Sequence, residues 1–248
     1  VEGKLAMLTE LLYQKDSYLQ EFTAQVVATD VANHRLALNA TAFYPGGGGQ
    51  PCDVGQFSAA GQSLIVERVQ KDGEGVVWHT IDPNSYLPAI GAELLGQLDW
   101  SRRYALMRTH TAMHILCGVV FRNYGALVTG GDMEPLKGRM DFEFESLQKE
   151  FVEVIEQAIN QEVRHARKIS VGFLNREQAF QTPDLIRTKI NLLPEGIQMI
   201  RTIHIEGLDL QADGGTHVAN TAEVGSLKIV DYKSKGKINK RIYLEISG

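Results

Sequence analysis

Two short pairs of potential metal ligands, about a hundred residues apart, constrain this chain more than any other feature. His110 and His114 lie in Arg-Thr-His-Thr-Ala-Met-His-Ile-Leu, and Asp213 and His217 lie in Ala-Asp-Gly-Gly-Thr-His. Imidazole and carboxylate are good zinc ligands, and a zinc ion takes three or four of them. On a helix, residues four apart share a face, so His110 and His114 can grip one ion together. Asp213 and His217 complete the set only in a fold that brings the two segments into contact. Taken singly, each pair has an ordinary reading: two helix histidines, or an Asp-Gly turn followed by a strand histidine. Taken together they predict a metal site. A metalloprotease of the His-Glu-x-x-His type needs glutamate as general base after the first histidine; Thr111 stands there and cannot serve. His79, His165 and His204 read as structural or solvent-facing. Cys117, three residues after His114, reads as a small buried residue, with a fourth metal ligand as the alternative.

With 248 residues, 44% hydrophobic and 22% charged, the chain is long enough for one large domain or two smaller ones with a sizeable core. Two cysteines, Cys52 and Cys117, cannot form a disulfide framework and suit a reducing cytoplasm. No apolar run reaches about 18 residues, so no membrane span is expected. No signal-peptide pattern opens the chain, and the residues ahead of Met7 read as an appended leader. A net charge of −5 argues against indiscriminate nucleic-acid binding. A local basic surface is still available from Lys228, Lys233, Lys235, Lys237, Lys240 and Arg241, with only Asp231 to offset it.

Period-two patterns predict strands at Thr23–Ala28, His34–Thr41, Ser63–Val69 and Gly75–Ile81, separated by Gly, Pro, Asn and Asp turns. Closely spaced short strands imply a small barrel, and residues 1–99 are read as this first domain. The texture changes at Trp100. Ser101 is the expected N-cap of a helix from Arg102 to Tyr124, with Gly125 as its stop. A hairpin region with Gly130-Gly131 and a strand Gly138–Glu145 follow. A second helix is expected from about Ser146 to His165, with Phe151, Val154, Ile155, Ala158 and Ile159 inward. A strand at Ile169–Phe173, a short helix near Asn175–Phe180, and strands near Ile197–Ile205, Gly225–Tyr232 and Lys240–Ile246 complete the reading. The class is therefore α+β, with residues 100–248 as the second domain.

The loop Thr41-Ala-Phe-Tyr-Pro-Gly-Gly-Gly-Gly-Gln-Pro lacks the Lys-Ser/Thr of a phosphate-binding P-loop. Its glycines leave Gln50 on a flexible backbone, able to approach another surface.

Together these pieces resemble the alanyl-tRNA editing proteins, the free-standing AlaX family, and the editing domain of alanyl-tRNA synthetase. The resemblance is carried by Asp16-Ser-Tyr-Leu19, Thr41 through Gly55, His110-Thr-Ala-Met-His114, Gly138-Arg-Met-Asp-Phe142, and Gly214-Gly-Thr-His-Val218 with Thr221-Ala-Glu-Val-Gly225. These segments run in the family's order through nearly the whole chain, and the length resembles the medium-length form. The resemblance implies a small β-barrel ahead of a zinc-binding editing domain. It implies hydrolysis of the ester in alanine tRNA mischarged with serine, or with glycine. It also implies zinc on His110, His114, Asp213 and His217, and substrate contacts from Thr41 and Gln50. Lys233, Lys235, Lys237, Lys240 and Arg241 are the expected tRNA contacts, with Arg102, Arg103 and Arg108 as additions. The family usually carries cysteine where Asp213 stands, so either a carboxylate replaces the thiolate or three histidines hold the metal. Two other readings remain: editing of a different mischarged tRNA, and an RNA-binding module with structural zinc.

Overall fold

The computed structural model describes residues 9–144, 148–188 and 197–248. The expected leader, Glu145 at the end of one expected strand, and Ser146 at the start of the second expected helix lie outside the described residues.

The fold is α+β. In chain order the strands and helices are β1 (Glu10–Leu11), β2 (Glu21–Asp30), β3 (Arg35–Leu38), β4 (Ala40–Thr41), β5 (Gly55–Ala59), β6 (Gln62–Lys71), β7 (Val77–Ile81), β8 (Glu93–Leu98), α1 (Trp100–Tyr124), β9 (Val128–Glu134), β10 (Lys137–Glu143), α2 (Lys149–Arg164), β11 (Ile169–Asn175), α3 (Arg176–Gln181), β12 (Met199–Ile205), β13 (Asp209–Ala212), β14 (Ser226–Ser234) and β15 (Asn239–Ser247). Among the described residues no helix is long and apolar enough to cross a membrane. The chain forms two compact units. One takes in the described residues up to Gly47 together with Pro51–Tyr104; the other takes in Gly48–Gln50 and the described residues from Ala105 onward. The expected domains, 1–99 and 100–248, differ from these units by Trp100–Tyr104 and by the loop tip.

The first unit is a closed antiparallel barrel in the order β2-β3-β7-β6-β5-β8. Alternate residues face inward, as in β2 (Phe22, Ala24, Val26) and β7 (Val77, His79, Ile81). Sequence reading misses β5 and β8, which close the barrel by pairing with each other and with β6 and β2. The inward row of β8 is Leu94, Gly96 and Leu98, and a Cβ on Gly96 would stand 2.5 Å from Phe22 Cε1. The glycine makes room for an aromatic ring and hides the alternation that would have marked the strand.

Phe22, Phe43, Phe57 and His79 form an edge-to-face cluster in this core, with adjacent centroids 5.4–5.8 Å apart. His79 Nδ1 faces the Leu36 carbonyl at 3.4 Å, so it carries the proton, and Nε2 accepts from the Thr41 hydroxyl at 2.9 Å. Beside the cluster, Arg103 and Asp53 form a fully buried ion pair. Arg103 also donates to the Ser17 carbonyl at 3.0 Å, and Asp53 accepts from Tyr44 N–H at 2.6 Å. Asp53 N–H returns to the Tyr44 carbonyl, so the glycine-rich loop is pinched shut at its base. Arg103 is therefore a buried structural cation and not a nucleic-acid contact. Arg102 and Arg108 are likewise bonded to backbone carbonyls, of Cys52 and of Val224 and Gly248 respectively.

Helix α1 starts two residues ahead of the expected Arg102. Its cap is Asp99, whose carboxylate accepts from Arg102 N–H at 3.0 Å, and Ser101 sits in the first turn. It stops at Gly125, in the left-handed region with φ 66°. Residues 109–120 are buried on every side, so α1 is the central rod of the second unit, without the single apolar stripe of a surface helix. Two antiparallel sheets belong to this unit, β14-β15-β10-β9 and β11-β12-β13. Gly130 and Gly131 lie within β9; the turn to β10 is made at Leu136, with φ 63°. Helix α2 buries Val152, Ile155, Ile159 and Val163, while the expected core residue Val154 is exposed. Its Asn160 side chain donates to the Leu227 carbonyl and accepts from Leu227 N–H, which docks α2 on β14.

Burial holds His79 neutral, with a pKa lowered from 6.5 to about 4. The unfolded chain binds the proton first, so stability is complete above pH 6.5 and falls as pH drops from there toward 4. This group alone accounts for about 3 kcal/mol over that window. Urea unfolding of wild type and His79→Gln between pH 7.5 and 4 is expected to show a shallower acid loss in the variant; parallel curves would refute the assignment.

Candidate metal centre

The second unit brings His110, His114, Asp213 and His217 together, with their ligand atoms all within 4.8 Å of one another. Helix α1 supplies the first two from one face. The loop after β13 supplies the others. Ring centroids are 4.2 Å apart for His110 and His217, 4.7 Å for His114 and His217, and 5.1 Å for His110 and His114. Asp213 Oδ2 lies 3.0 Å from His217 Nε2, and Oδ1 lies 3.5 Å from His110 Nε2. Tetrahedral zinc ligands at about 2.0–2.1 Å from the metal stand about 3.3 Å from each other. The donor set therefore fits such an ion in both chemistry and spacing.

Each histidine is also held from behind, as metal-binding imidazoles are. His110 Nδ1 donates to Gln50 Oε1 at 2.9 Å, which fixes the tautomer and leaves Nε2 for the centre. His217 Nδ1 meets the Thr111 hydroxyl at 3.1 Å, and that oxygen also accepts from Val218 N–H at 3.3 Å. His114 Nδ1 stands 3.6 Å from Asp209 Oδ2 and 3.5 Å from Gln211 Nε2. Asp213 is fixed as well. Its Oδ2 accepts from Gly215 N–H at 2.7 Å, and Arg201 lies 3.8 Å away while donating to the Asp213 and Gly215 carbonyls.

Burial lowers the pKa of His110 well below 6.5, with the Asp213 charge only partly opposing it. Burial likewise lowers His217 to about 4 against the pull of Asp213. For His114, burial is outweighed by the carboxylates of Asp209 and Asp213, and the pKa is raised. Burial alone would raise Asp213, yet the three histidines hold it well below 3.8. The site thus presents an anionic carboxylate and two neutral imidazoles to a cation.

Gln50 reaches this site from the glycine-rich loop, whose Gly46, Gly47, Gly48 and Gly49 all have positive φ (85°, 130°, 57° and 87°). Four such residues in succession require glycine. Gln50 is almost fully buried; its Oε1 accepts from Thr216 N–H at 3.0 Å and its Nε2 donates to Thr216 Oγ1 at 2.8 Å. Gln50, expected as a substrate contact, thus lies behind the His110 ring with its amide held by Thr216. Gly215 is required beside it, because a Cβ there would collide with the His110 ring. Thr41 belongs to the barrel unit, fully buried, its hydroxyl shared between His79 and Phe43 N–H. Cys117 is not in the ligand group: it is buried, its thiol pushed up by burial, and it accepts from Gln211 Nε2 at 3.4 Å.

Of the basic segment, Lys233, Lys235 and Lys237 are exposed. Lys240 is buried and donates to the Gly236 and Lys237 carbonyls, and Arg241 is bidentate to Asp141 at 2.6 and 2.8 Å. These last two hold the β14–β15 hairpin and its neighbour β10. Thr111, Arg201, Asp209, Gln211 and Thr216 are the site residues that sequence reading missed. Their signal was present: Asp209, Gln211 and Asp213 alternate into Gly-Gly-Thr-His, as residues on one face of a strand do.

Residues 200–243, which include Asp213 and His217, match the family described as "Threonyl and Alanyl tRNA synthetase second additional domain". Residues 11–102 match the family described as "tRNA synthetases class II (A)". The chain is 38% identical over 240 residues to the alanyl-tRNA editing protein AlaX-M of Saccharolobus solfataricus, covering 96% of this chain and 99% of that protein. The chain belongs to the alanyl-tRNA editing protein family. A second AlaX-M protein, from Methanosarcina acetivorans, is 34% identical over 245 residues, with 96% and 99% covered. The alanine–tRNA ligase of Ignicoccus hospitalis is 38% identical over 228 residues, which are 90% of this chain and 24% of the ligase. This AlaX-family chain thus corresponds to one segment of a much longer enzyme.

Replacing Gln50 by alanine leaves His110 Nδ1 without its acceptor. Zinc affinity, measured by competition with a chromophoric chelator, is expected to fall about 10–100-fold. Unchanged affinity would show that the Gln50 contact does not orient the ligand.

Proposed function

We propose that this AlaX-family protein is a free-standing hydrolase that deacylates alanine tRNA mischarged with serine, and secondarily with glycine, at a zinc site. The observation that carries the reading is the convergence of His110, His114, Asp213 and His217, each braced by a further polar group, in a chain of this family. An alanine-activating pocket cannot strongly reject a side chain that adds one hydroxyl or loses one methyl, so a separate hydrolytic site must discriminate. Zinc held by these four residues supplies electrophilic polarisation of an ester carbonyl or acidification of a water.

The chain's own groups have distinct tasks in this reading. Gln50 and Thr111 hold His110 and His217 as the tautomers whose Nε2 atoms face the centre. Asp209, 3.6 Å from His114 Nδ1, orients that ring with its Nε2 toward the centre. Arg201 holds the Asp213–Gly215 turn in place through two carbonyls. Lys233, Lys235 and Lys237 meet the tRNA backbone, as phosphate contacts that position without reading sequence. A cytoplasmic location follows from the substrate.

A second reading is favoured by one observation, the presence of four ligands, because closed four-ligand sites are commonly structural. It makes the chain a non-catalytic RNA-binding module, and it predicts binding of tRNA without turnover.

Serine-charged and alanine-charged alanine tRNA should be incubated with wild type and with the His110→Ala, His114→Ala double variant. Wild type is expected to release serine and spare alanine. The double variant is expected to lose about a hundredfold or more in kcat/KM. Equal hydrolysis of both substrates, or an undiminished double variant, defeats the proposal, and serine-charged alanine tRNA bound but not hydrolysed favours the second reading. Replacing the tRNA by a serine-charged threonine tRNA in the same assay separates the two editing systems. Zinc analysis of Asp213→Ala is expected to show reduced retention, and full retention would place the carboxylate outside the ligand set.

A further inference from the structure

One face of the sheet β11-β12-β13 runs from the metal centre to solvent. In register across it lie Ile169, Ile205 and Asp209; then Val171, Ile203 and Gln211; then Phe173 and Arg201; then Asn175 and Met199. Residues paired directly across antiparallel strands share a face. Its β13 edge carries Asp209 and Gln211, which face His114, and leads into the ligand Asp213. Its β11 edge does something different. Val171, Phe173 and Met199 are 39%, 45% and 54% exposed, although they belong to the same rows. Phe173 is the cross-strand partner of Arg201, whose guanidinium touches the Asp213 and Gly215 carbonyls. An exposed aromatic ring therefore stands one strand, about 4.8 Å, from a residue that touches the ligand loop.

Beyond Met199 the face opens into a recess of about 530 Å³ lined by Asn175, Arg176, Glu177, Phe180, Gln198 and Met199. Phe180 is 56% exposed, and the Arg176 guanidinium lies over its ring at 4.9 Å. Scattered exposed apolar residues are normal on a protein surface, but a contiguous group beside a polar buried site is not. Flat aromatic faces with a stacked arginine are the surface that a nucleobase takes. Within the recess Glu177 offsets the charge of Arg176, so the aromatic and guanidinium faces are its distinguishing feature.

We propose that Phe173 and Met199, with Phe180 and Arg176 at their outer end, form the shelf on which the 3′-terminal adenine of the tRNA stacks while its ribose presents the ester to the metal centre. This rests on the editing function proposed above, which requires the terminal nucleotide beside His110, His114, Asp213 and His217. It goes further by naming the surface that orients that nucleotide. The shelf recognises a base by its π-face and its place at a chain end, so it positions any aminoacyl ester without regard to the amino acid. Discrimination between amino acids then belongs to other groups.

The experiment compares uncharged alanine tRNA with the same RNA lacking its terminal adenosine, on the full chain, by direct binding. Wild type is expected to bind the intact RNA about tenfold more tightly than the shortened one. Phe173→Ala is expected to abolish that ratio, and Phe173→Trp to preserve it. Because the ratio compares two RNAs on one protein sample, a partly unfolded variant does not mimic the effect. An intact ratio in Phe173→Ala overturns the shelf while leaving the editing function standing. Wild-type binding to neither RNA overturns the editing function and the shelf with it. A wild-type dimer in sedimentation that Phe173→Ala dissociates, with the RNA ratio unchanged, assigns the surface to a second copy of the chain and overturns the proposal.

Discussion

A buried imidazole has two nitrogens to satisfy, and this chain buries three imidazoles against one another, each 4–7% exposed. Much of the second unit answers that requirement. The inward Nε2 atoms of His110 and His217 face the carboxylate of Asp213. The outward nitrogens of all three rings face Gln50, Thr111 and the Asp209–Gln211 pair, each from a different segment. Burial first, and neighbouring rings second, lower the proton affinity of His110 and His217, which leaves their lone pairs free for a cation.

The same requirement explains the glycines. Gln50 belongs to the second unit and follows four consecutive glycines with positive φ. In the barrel unit, Asp53 and the buried Arg103 are paired. Gly215 is small because His110 and Gln50 occupy the place of its side chain. The glycines that look in the sequence like a flexible probe thus lead to a glutamine whose amide is fixed. Its conformational freedom is used up in reaching one geometry, and Thr216 locks the result by accepting and donating to the same amide.

Much of this was legible in the sequence, and the gaps have physical causes. The i, i+4 spacing of His110 and His114, and the ligand chemistry of Asp213 and His217, pointed to one centre because few folds need those groups in that pattern. The α+β class followed from the change of period at Trp100. The barrel strands β5 and β8 were hidden, β8 because Gly96 interrupts its inward row to admit Phe22. The true N-cap was missed because Asp99 and Ser101 are both good caps and only the carboxylate of Asp99 meets the free N–H of Arg102. Strand β13 has four residues, and the alternation of Asp209, Gln211 and Asp213 shows only when it is read together with the Gly-Gly-Thr-His that follows. The basic run Lys233–Arg241 read as one surface, yet sequence alone cannot show that Lys240 turns inward to cap carbonyls or that Asp141, a hundred residues away, claims Arg241.

Asp213 is where this chain departs from the cysteine that the family resemblance leads one to expect, and its surroundings make a carboxylate the better fit. The Oδ2 atom accepts a hydrogen bond from Gly215 N–H and lies beside His217, with the Arg201 guanidinium close by. A thiolate has one soft acceptor atom and would serve those donors poorly; a carboxylate has two oxygens and divides them, Oδ2 toward Gly215 and His217 and Oδ1 toward His110. Cys117 does not restore the missing sulfur, because burial keeps its thiol protonated and Gln211 occupies it. A donor set of three nitrogens and an oxygen is harder than one with thiolate and less selective for zinc over other divalent ions. What holds such a site together is the rigidity of the groups behind the ligands, and in this chain Gln50, Thr111, Asp209, Arg201 and a glycine turn stand in those places.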